Sequence, residues 1–479
     1  AGTIHGNGYA INGLTAPLFG ITSASFKGLH LTNVNINETV TPNVGALARR
    51  IMLPASGISA TVEHCSVSGK ISVHTPNFKF DSEQGEYAPF AIGGLIGTSY
   101  GLIISDCVNE ADIEVKEILD LSSIPEGKTP RPRIGGVVGA LNTNGSGDAT
   151  VYAKMYNLEN KGDISYTDFS YTGENGISTY SPVHCYLAGV VGNHASGNLA
   201  EGEIQNIVNR GDVTLSGNFN NGCILTGTIG QYAAEDGSHV YNYGKVSYIG
   251  GTTRHLYAGA GIGYGAKGSN VSNVHNYGEL YIGEEATCLS LIAGGLMAYQ
   301  SGDTGEDGRI ADSTNNAPVN IFCKTATENP NKTALYFRIG GLAGWNQINV
   351  NNCKNLEKGK VTVKTSIFNN DANTNNVCIG GLVGYKTVNV IRNSQNDAEV
   401  DVDVDLTITT GEEIDLTTVR ANIGGLVGYS HKEILTCTNN GAVNISGTYV
   451  GDLLVGGCIG SCLGGGAHDS ITNNGKVTI

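Results

Sequence analysis

The chain has 479 residues, rich in Gly (69) and poor in Pro (11) and Met (3), with only 15% charged residues; that profile excludes disorder, which needs high charge and few aliphatics. A formal charge of −15, with no Lys/Arg run beyond Arg49-Arg50, argues against nucleic acid or an anionic membrane as partner. No apolar stretch approaches the ~18 residues of a membrane span, and the start at Ala1 reads as a mature or trimmed chain whose targeting segment lies elsewhere.

Residues 1–44 read as β throughout. Gly6-Asn-Gly-Tyr-Ala-Ile11, Pro17-Leu-Phe-Gly20 and Phe26-Lys-Gly-Leu-His-Leu31-Thr-Asn-Val-Asn-Ile36 suggest one or two lead-in rungs. From residue 45 onward two blocks alternate. The first is rich in glycine, faint at Val44-Gly-Ala-Leu-Ala48 and clean at Ile92-Gly-Gly-Leu-Ile-Gly97, Ile134-Gly-Gly-Val-Val-Gly139 and Leu187-Ala-Gly-Val-Val-Gly192. It weakens at Leu225–Gly230, Ala258–Gly263 and Ile292–Ala298, and recovers at Ile339–Gly344, Ile379–Gly384, Ile423–Gly428 and Val455–Gly460.

The second block sets an Asn two residues before a Gly or Ala, with an apolar residue starting a strand two residues later, as in Cys107-Val-Asn109-Glu-Ala111-Asp-Ile113. Its Asn recurs as Asn109, Asn160, Asn209, Asn242, Asn276, Asn315, Asn355, Asn396, Asn439 and Asn473; in the faint first copy Val67 takes its place. A recurring pair of blocks marks a repeat array. The copies are spaced unevenly, and the extra residues fall in polar, turn-rich stretches such as Asn142–Asp148 and Asp168–Ser181. A β-rung tolerates this, because it keeps its strands in register and lets loops bulge outward; a helical repeat must keep its length.

Strands after the Asn alternate, as in Val361-Thr-Val363 and Val400-Asp-Val-Asp-Val-Asp-Leu406, so one face points in and one out. The expected fold is all-β, a parallel β-helix solenoid, right-handed by the usual crossover preference. It comprises eleven repeats over 45–479 after lead-in rungs over 1–44, a single domain across 1–479. With rungs about 4.8 Å apart, equivalent side chains stack. An Asn amide carries both donor and acceptor, so the ten Asn are expected to form a structural ladder.

The eleven Cys cannot all pair with one another. Cys65, Cys107, Cys353 and Cys437 share a slot that other copies fill with Leu158, Ile207, Val240, Val274 and Ile471, so they read as buried thiols acting as small hydrophobes. Cys458…Cys462 lacks a second pair for zinc, and no metal site is expected. The final strand, Val477-Thr-Ile479, leaves an open edge for further chain, another molecule or end-to-end self-association.

The two blocks together resemble the GLUG motif, a repeat of bacterial secreted and surface proteins that include adhesins and the non-catalytic part of IgA peptidase-like proteins. The opening Gly-Asn-Gly-Tyr-x-Ile and Pro-Leu-Phe-Gly resemble the segment that often precedes such repeats. The likeness spans nearly the whole chain, and it implies an extracellular or cell-surface location with an adhesive or scaffolding role.

Catalytic signatures are scarce. None of the His falls in H-E-x-x-H, and no G-x-S-x-G nucleophile elbow and no phosphate loop is recognised. Asp401, Asp403 and Asp405 share one face of a strand; they read as a solvated face that blocks edge pairing, the alternatives being acid–base work by paired carboxylates or weak Ca²⁺ binding, with no other cofactor expected. Asp303-Thr-Gly-Glu-Asp307-Gly-Arg lacks the spacing of a calcium loop and reads as an exposed turn.

The surface candidate is aromatic. In five successive copies the residue after the glycine block is Tyr264, Tyr299, Trp345, Tyr385 and Tyr429, where earlier copies carry Thr98, Ala140, Asn193 and Gln231. Facing outward, five rings one rung apart form a strip that stacks on sugars; the competing reading is a packed ladder covering a corner. Tyr243 and Tyr277, in Asn-Tyr-Gly turns, read as turn decoration. The sequence thus points to a non-catalytic exported module that binds a glycan or a surface protein, or serves as a stalk. Two alternatives stay open: a polysaccharide lyase or hydrolase built on a β-helix, and the ancillary region of an IgA peptidase-like protein.

Overall fold

The computed structural model describes residues 2–53, 58–81, 90–125, 128–142, 144–145, 150–151, 153–170, 184–194, 200–219, 222–302, 308–325, 336–369, 377–408, 420–463 and 468–479. The inserted turn at Asp303–Asp307 and most of the Asn142–Asp148 and Asp168–Ser181 stretches lie outside them. Among the described residues the regular structure is β-strand, apart from one 3₁₀ turn at Leu121–Ser123. Contacts divide the chain into two compact units, one reaching Lys245 and the other running from Val246 to Ile479. Each is a parallel β-helix.

The second unit shows the coil most plainly. One coil runs through the strands Arg309–Ala311, Thr314–Asn315, Val319–Ile321, Phe337–Gly340 and Ala343–Asn346. Each strand pairs in parallel with its equivalent one coil on. Val319 stands against Val361, Val361 against Val400 and Val400 against Val443; Ile339, Ile379, Ile423 and Val455 form another column. These apolar columns are the core. Full burial of each side chain contributes about 1.5–3 kcal/mol.

In the first unit the lead-in segment holds one complete coil and begins the next. Thr3–His5 pairs with Ser25–Lys27, Ala10–Asn12 with the strand starting at His30, and Phe19–Thr22 with Ala48–Ile51. Later coils stack in the same way: Ile113 stands against Ile71 and Ile164, and Ile164 against Val213.

The recurrent Asn residues form amide columns. In the first unit Asn109 Nδ2 donates to Asn160 Oδ1 (2.7 Å), Asn160 to Asn209 (2.8 Å) and Asn209 to Asn242 (2.9 Å). In the second, the chain Asn276, Asn315, Asn355, Asn396, Asn439 and Asn473 is joined the same way at 2.8–2.9 Å. Each Nδ2 also donates to a carbonyl of its own turn, such as Gly162 O for Asn160 and Gly211 O for Asn209. Both amide hydrogens are thereby used, which a buried amide requires. One copy departs from the spacing: Asn355 reaches Gly359 O, four residues on, so two extra residues bulge outward while the column keeps its step.

The glycine block explains why the two motifs travel together. A Cβ on Gly381 would lie 2.3 Å from Asn396 Nδ2 and 2.2 Å from Gly425 O. The second glycine of the block backs directly onto the amide column, so a side chain there would displace it.

A second column appears three residues before each ladder Asn. Asp106, Asn157, Asn206, Asn273, Asp312, Asn352 and Asn393 all have φ between +51° and +58°, the left-handed turn that Asn and Asp accept best. Their side chains also link coils: Asn157 Nδ2 donates to Asp106 Oδ1 (2.8 Å), and Asn352 Nδ2 to Asp312 Oδ1 (2.7 Å). This column lies on the outside, where the amides hold the bend.

Candidate functional site

Tyr264, Tyr299, Trp345, Tyr385 and Tyr429 stand in direct register on adjacent strands of the second unit. In the strand Ala343–Asn346 the indole is half-buried while Asn346 beside it is enclosed. The amide of Asn346 points inward, so the ring of Trp345 points out. Tyr264, Tyr299 and Tyr385 are likewise half-buried, and Tyr429 is 9% exposed.

The rings touch along the whole row. Centroid separations are 5.3 Å (Tyr264–Tyr299), 4.7 Å (Tyr299–Trp345), 5.8 Å (Trp345–Tyr385) and 5.0 Å (Tyr385–Tyr429), the last pair stacked with planes 6° apart. Tyr257, Tyr336 and His431 join at the edges. Two polar tips are tied down: Tyr299 Oη donates to Gln347 Oε1 (3.1 Å) and Trp345 Nε1 to Thr387 Oγ1 (3.3 Å). Burial raises the phenol pKa of Tyr385 and Tyr429, so both stay neutral donors over the ordinary pH range. The row is therefore a continuous aromatic face, half-exposed at four of its five rings and tied by hydrogen bonds at two.

Two features beside it were not foreseen. The first is Arg338, whose Cζ lies 3.9 Å from the Trp345 ring centroid, 3.8 Å from that of Tyr385 and 4.3 Å from that of Tyr336. Cation–π attraction of this kind strengthens as water is excluded, and Arg338 is only 4% exposed. The second is an enclosed polar column behind the rings. Gln300, Asn346, Lys386 and Ser430 follow the ring residues one position on, and all are buried. Lys386 Nζ donates to Asn346 Oδ1 and Ile348 O, and burial pushes its pKa well down. A lysine next to a tyrosine reads as surface in sequence; here strand alternation turns it inward.

Family models, curated proteins and solved structures offer no match to this chain.

The other candidates are placed as follows. Asp401, Asp403 and Asp405 alternate with buried Val400, Val402 and Val404 and face outward. Each carboxylate has a partner: Asp401 with Lys360 Nζ (3.1 Å), Asp403 with Ser446 Oγ (2.9 Å) and Asp405 with the Thr448 N–H (3.0 Å). Among the described residues no three His, Cys, Asp or Glu converge as metal ligands would. Cys65, Cys107, Cys353 and Cys437 are buried; the Cys107, Cys353 and Cys437 thiols donate to the carbonyls of Ser105, Asn351 and Leu435. Tyr243 and Tyr277 are exposed, and the Arg210 guanidinium covers the Tyr243 ring at 4.7 Å.

One sequence match needs correction. Gly97-Thr-Ser99-Tyr-Gly101 has the G-x-S-x-G spacing that a nucleophile elbow carries. Ser99 instead lies within the strand Ile96–Tyr100, wholly buried, between Ile51 and Leu141 on the neighbouring coils. No helix follows to expose the hydroxyl. The spacing comes from the glycine block alone.

Proposed function

We propose that this protein is a non-catalytic, exported surface module of the GLUG-repeat kind, which binds a glycan through the aromatic row of its second unit. The observation that carries this reading is the row itself: five rings in register, four of them half-exposed, touching one another and with hydrogen bonds at Tyr299 and Trp345. A packed ladder would account for the ring contacts. It does not account for the partial exposure of four of the rings, where Tyr166, Tyr232 and Tyr248 of the same molecule are fully enclosed. Flat aromatic faces offer contact area at little conformational cost, which suits sugar faces. The partnered state of Asp401, Asp403 and Asp405 supports a binding role over acid–base cleavage.

The test is binding of the full chain to immobilised glycans, with Trp345→Ala as the comparison. The wild type binds, and the variant, folded by circular dichroism, loses about tenfold or more, as expected for a central aromatic anchor. A folded wild type that binds no glycan sinks the proposal. Release of reducing or unsaturated sugar ends would turn it into a carbohydrate-active enzyme.

A further inference from the structure

Resting on the glycan-binding reading, we infer that the sugar this face takes is a carboxylated one, and that its carboxylate docks on the guanidinium of Arg338. Arg338 occupies the position just before the glycine block, and the equivalent residue in the first unit is Arg133. The two arginines share a sequence position and differ in what they meet. Arg133 Nη1 donates to Asn142 Oδ1 at 3.2 Å. The residue of the second unit equivalent to Asn142 is Gln347, and its oxygen is occupied by Tyr299 Oη and the Gly302 N–H, each at 3.1 Å.

Arg338 is left with ring faces. Its Nε and Nη1 are enclosed and have no hydrogen-bond partner. Among the described residues no carboxylate forms an ion pair with it. Burial is the main influence on its pKa and lowers it from the ordinary value, with thiol and phenol groups as the neighbours that oppose the shift. Enclosing a guanidinium edge without an acceptor costs free energy that an incoming acceptor recovers.

The geometry narrows what that acceptor is. Trp345, Tyr385 and Tyr336 lie within 4.3 Å of the guanidinium carbon, so rings take its faces, and the enclosed, unpartnered Nε and Nη1 are the groups an acceptor entering among the rings would meet. A planar edge of two N–H donors matches a carboxylate held bidentate. The flanking half-exposed rings ask for an apolar face beside that charge. A uronic-type sugar carries both on one rigid ring, C–H groups on its face and a carboxylate at a fixed angle, so little ordering is lost on binding. An acidic peptide has the charge without the rigid apolar face. The formal charge of −15 means that anions are not drawn to this chain in general; attraction has to be local.

The test measures binding of the full chain to an oligogalacturonate, to the same oligosaccharide with its carboxyl groups reduced to alcohols, to a sulfated neutral oligosaccharide and to poly-glutamate. The wild type favours the oligogalacturonate over its reduced form on the order of tenfold or more, the range of charge-assisted hydrogen bonds. Arg338→Gln abolishes that preference, and Arg338→Lys, which keeps charge without the fork, restores only part of it. The wild-type preference stands as evidence even if Arg338→Gln fails to fold. Equal binding of the reduced sugar overturns the role of Arg338 while leaving the aromatic reading intact. Equal binding of the sulfated probe or of poly-glutamate overturns the carboxylated-sugar class. No binding of any sugar removes both.

Discussion

In the first unit the residue that follows the glycine block is Thr98, Ala140, Asn193 or Gln231; in the second it is Tyr264, Tyr299, Trp345, Tyr385 and Tyr429 in five successive copies and Ser461 in the last. The first set is small or polar, and its polar members bond within the fold: Asn142 Nδ2 donates to Thr98 Oγ1 (3.3 Å) and Asn193 Nδ2 to Gln231 Oε1 (2.7 Å). The second set is a half-exposed aromatic row. Behind these different faces the amide columns are alike, with donor–acceptor distances of 2.7–2.9 Å in both units. The comparison separates what stacking demands from what it leaves free. An amide one coil from its copy has to find its neighbour, whereas the outward residue answers only to solvent and ligand.

The comparison breaks most directly at the glycine block. Gly381→Ala in the second unit and Gly136→Ala in the first each set a Cβ within 2.4 Å of ladder-amide or backbone atoms. A loss above ~4 kcal/mol is expected in either unit, because backbone and a buried amide must shift together. Hydrogen exchange followed coil by coil reads it out, and a tolerated substitution in one unit alone would show that the two interiors are not equivalent.

Removing a ladder amide comes next. Asn160→Ala strands Asn109 Nδ2, Asn209 Oδ1 and Gly162 O. Asn396→Ala does the same to Asn355, Asn439 and Ala398. Each should cost about 3–5 kcal/mol from unpaired buried groups. Similar losses by urea-dependent exchange sharpen the claim of a common interior.

Acid should act unequally on the two units. His194 in the first is fully enclosed, and burial pushes its pKa down to about 4; His255 in the second is also lowered to about 4, by burial and then by Arg254, but it reaches solvent. The unfolded chain takes up the proton first, near pH 6.5. Stability is therefore complete above about pH 6.5 and falls as pH drops toward 4, by about 3 kcal/mol at most for His194. His194→Gln should flatten the pH dependence of the first unit, measured by thermal melts between pH 4 and 7; an unchanged slope would mean that other groups govern acid unfolding.

The smallest effect belongs to the outer turn column. Asn352→Ala forces a Cβ residue without a side-chain hydrogen bond into φ +51°, at a cost of ~1 kcal/mol, and Asn352→Gly should recover most of it. Equal melting temperatures for the two variants would show that the Asn352–Asp312 bond, and not the left-handed bend, is what matters there.

Legibility followed repetition. The ladder Asn and the glycine block could be read because they recur, and the valine columns because they alternate. The left-handed column was present as Asn or Asp three residues ahead of the ladder, as in Asn157-Leu-Glu-Asn160 and Asn352-Cys-Lys-Asn355. It was hidden because Asp, His, Thr and Ser share the position. Arg338 and Lys386 could not be read in this way. Arg338 has a counterpart in Arg133 yet a different environment, and Lys386 follows a tyrosine that points outward.

By itself the sequence determined that this chain stacks as a parallel β-helix with an amide column, because a repeat that places equal residues about 4.8 Å apart dictates their neighbours in advance. Only the tertiary structure decided that a guanidinium lies against both Trp345 and Tyr385, that the oxygen able to satisfy it is engaged by Tyr299 and Gly302, and that Lys386 lies inside. Those neighbours come from coils some forty residues apart in sequence, and a residue that does not repeat carries no sign of what stands beside it until the coils are laid down.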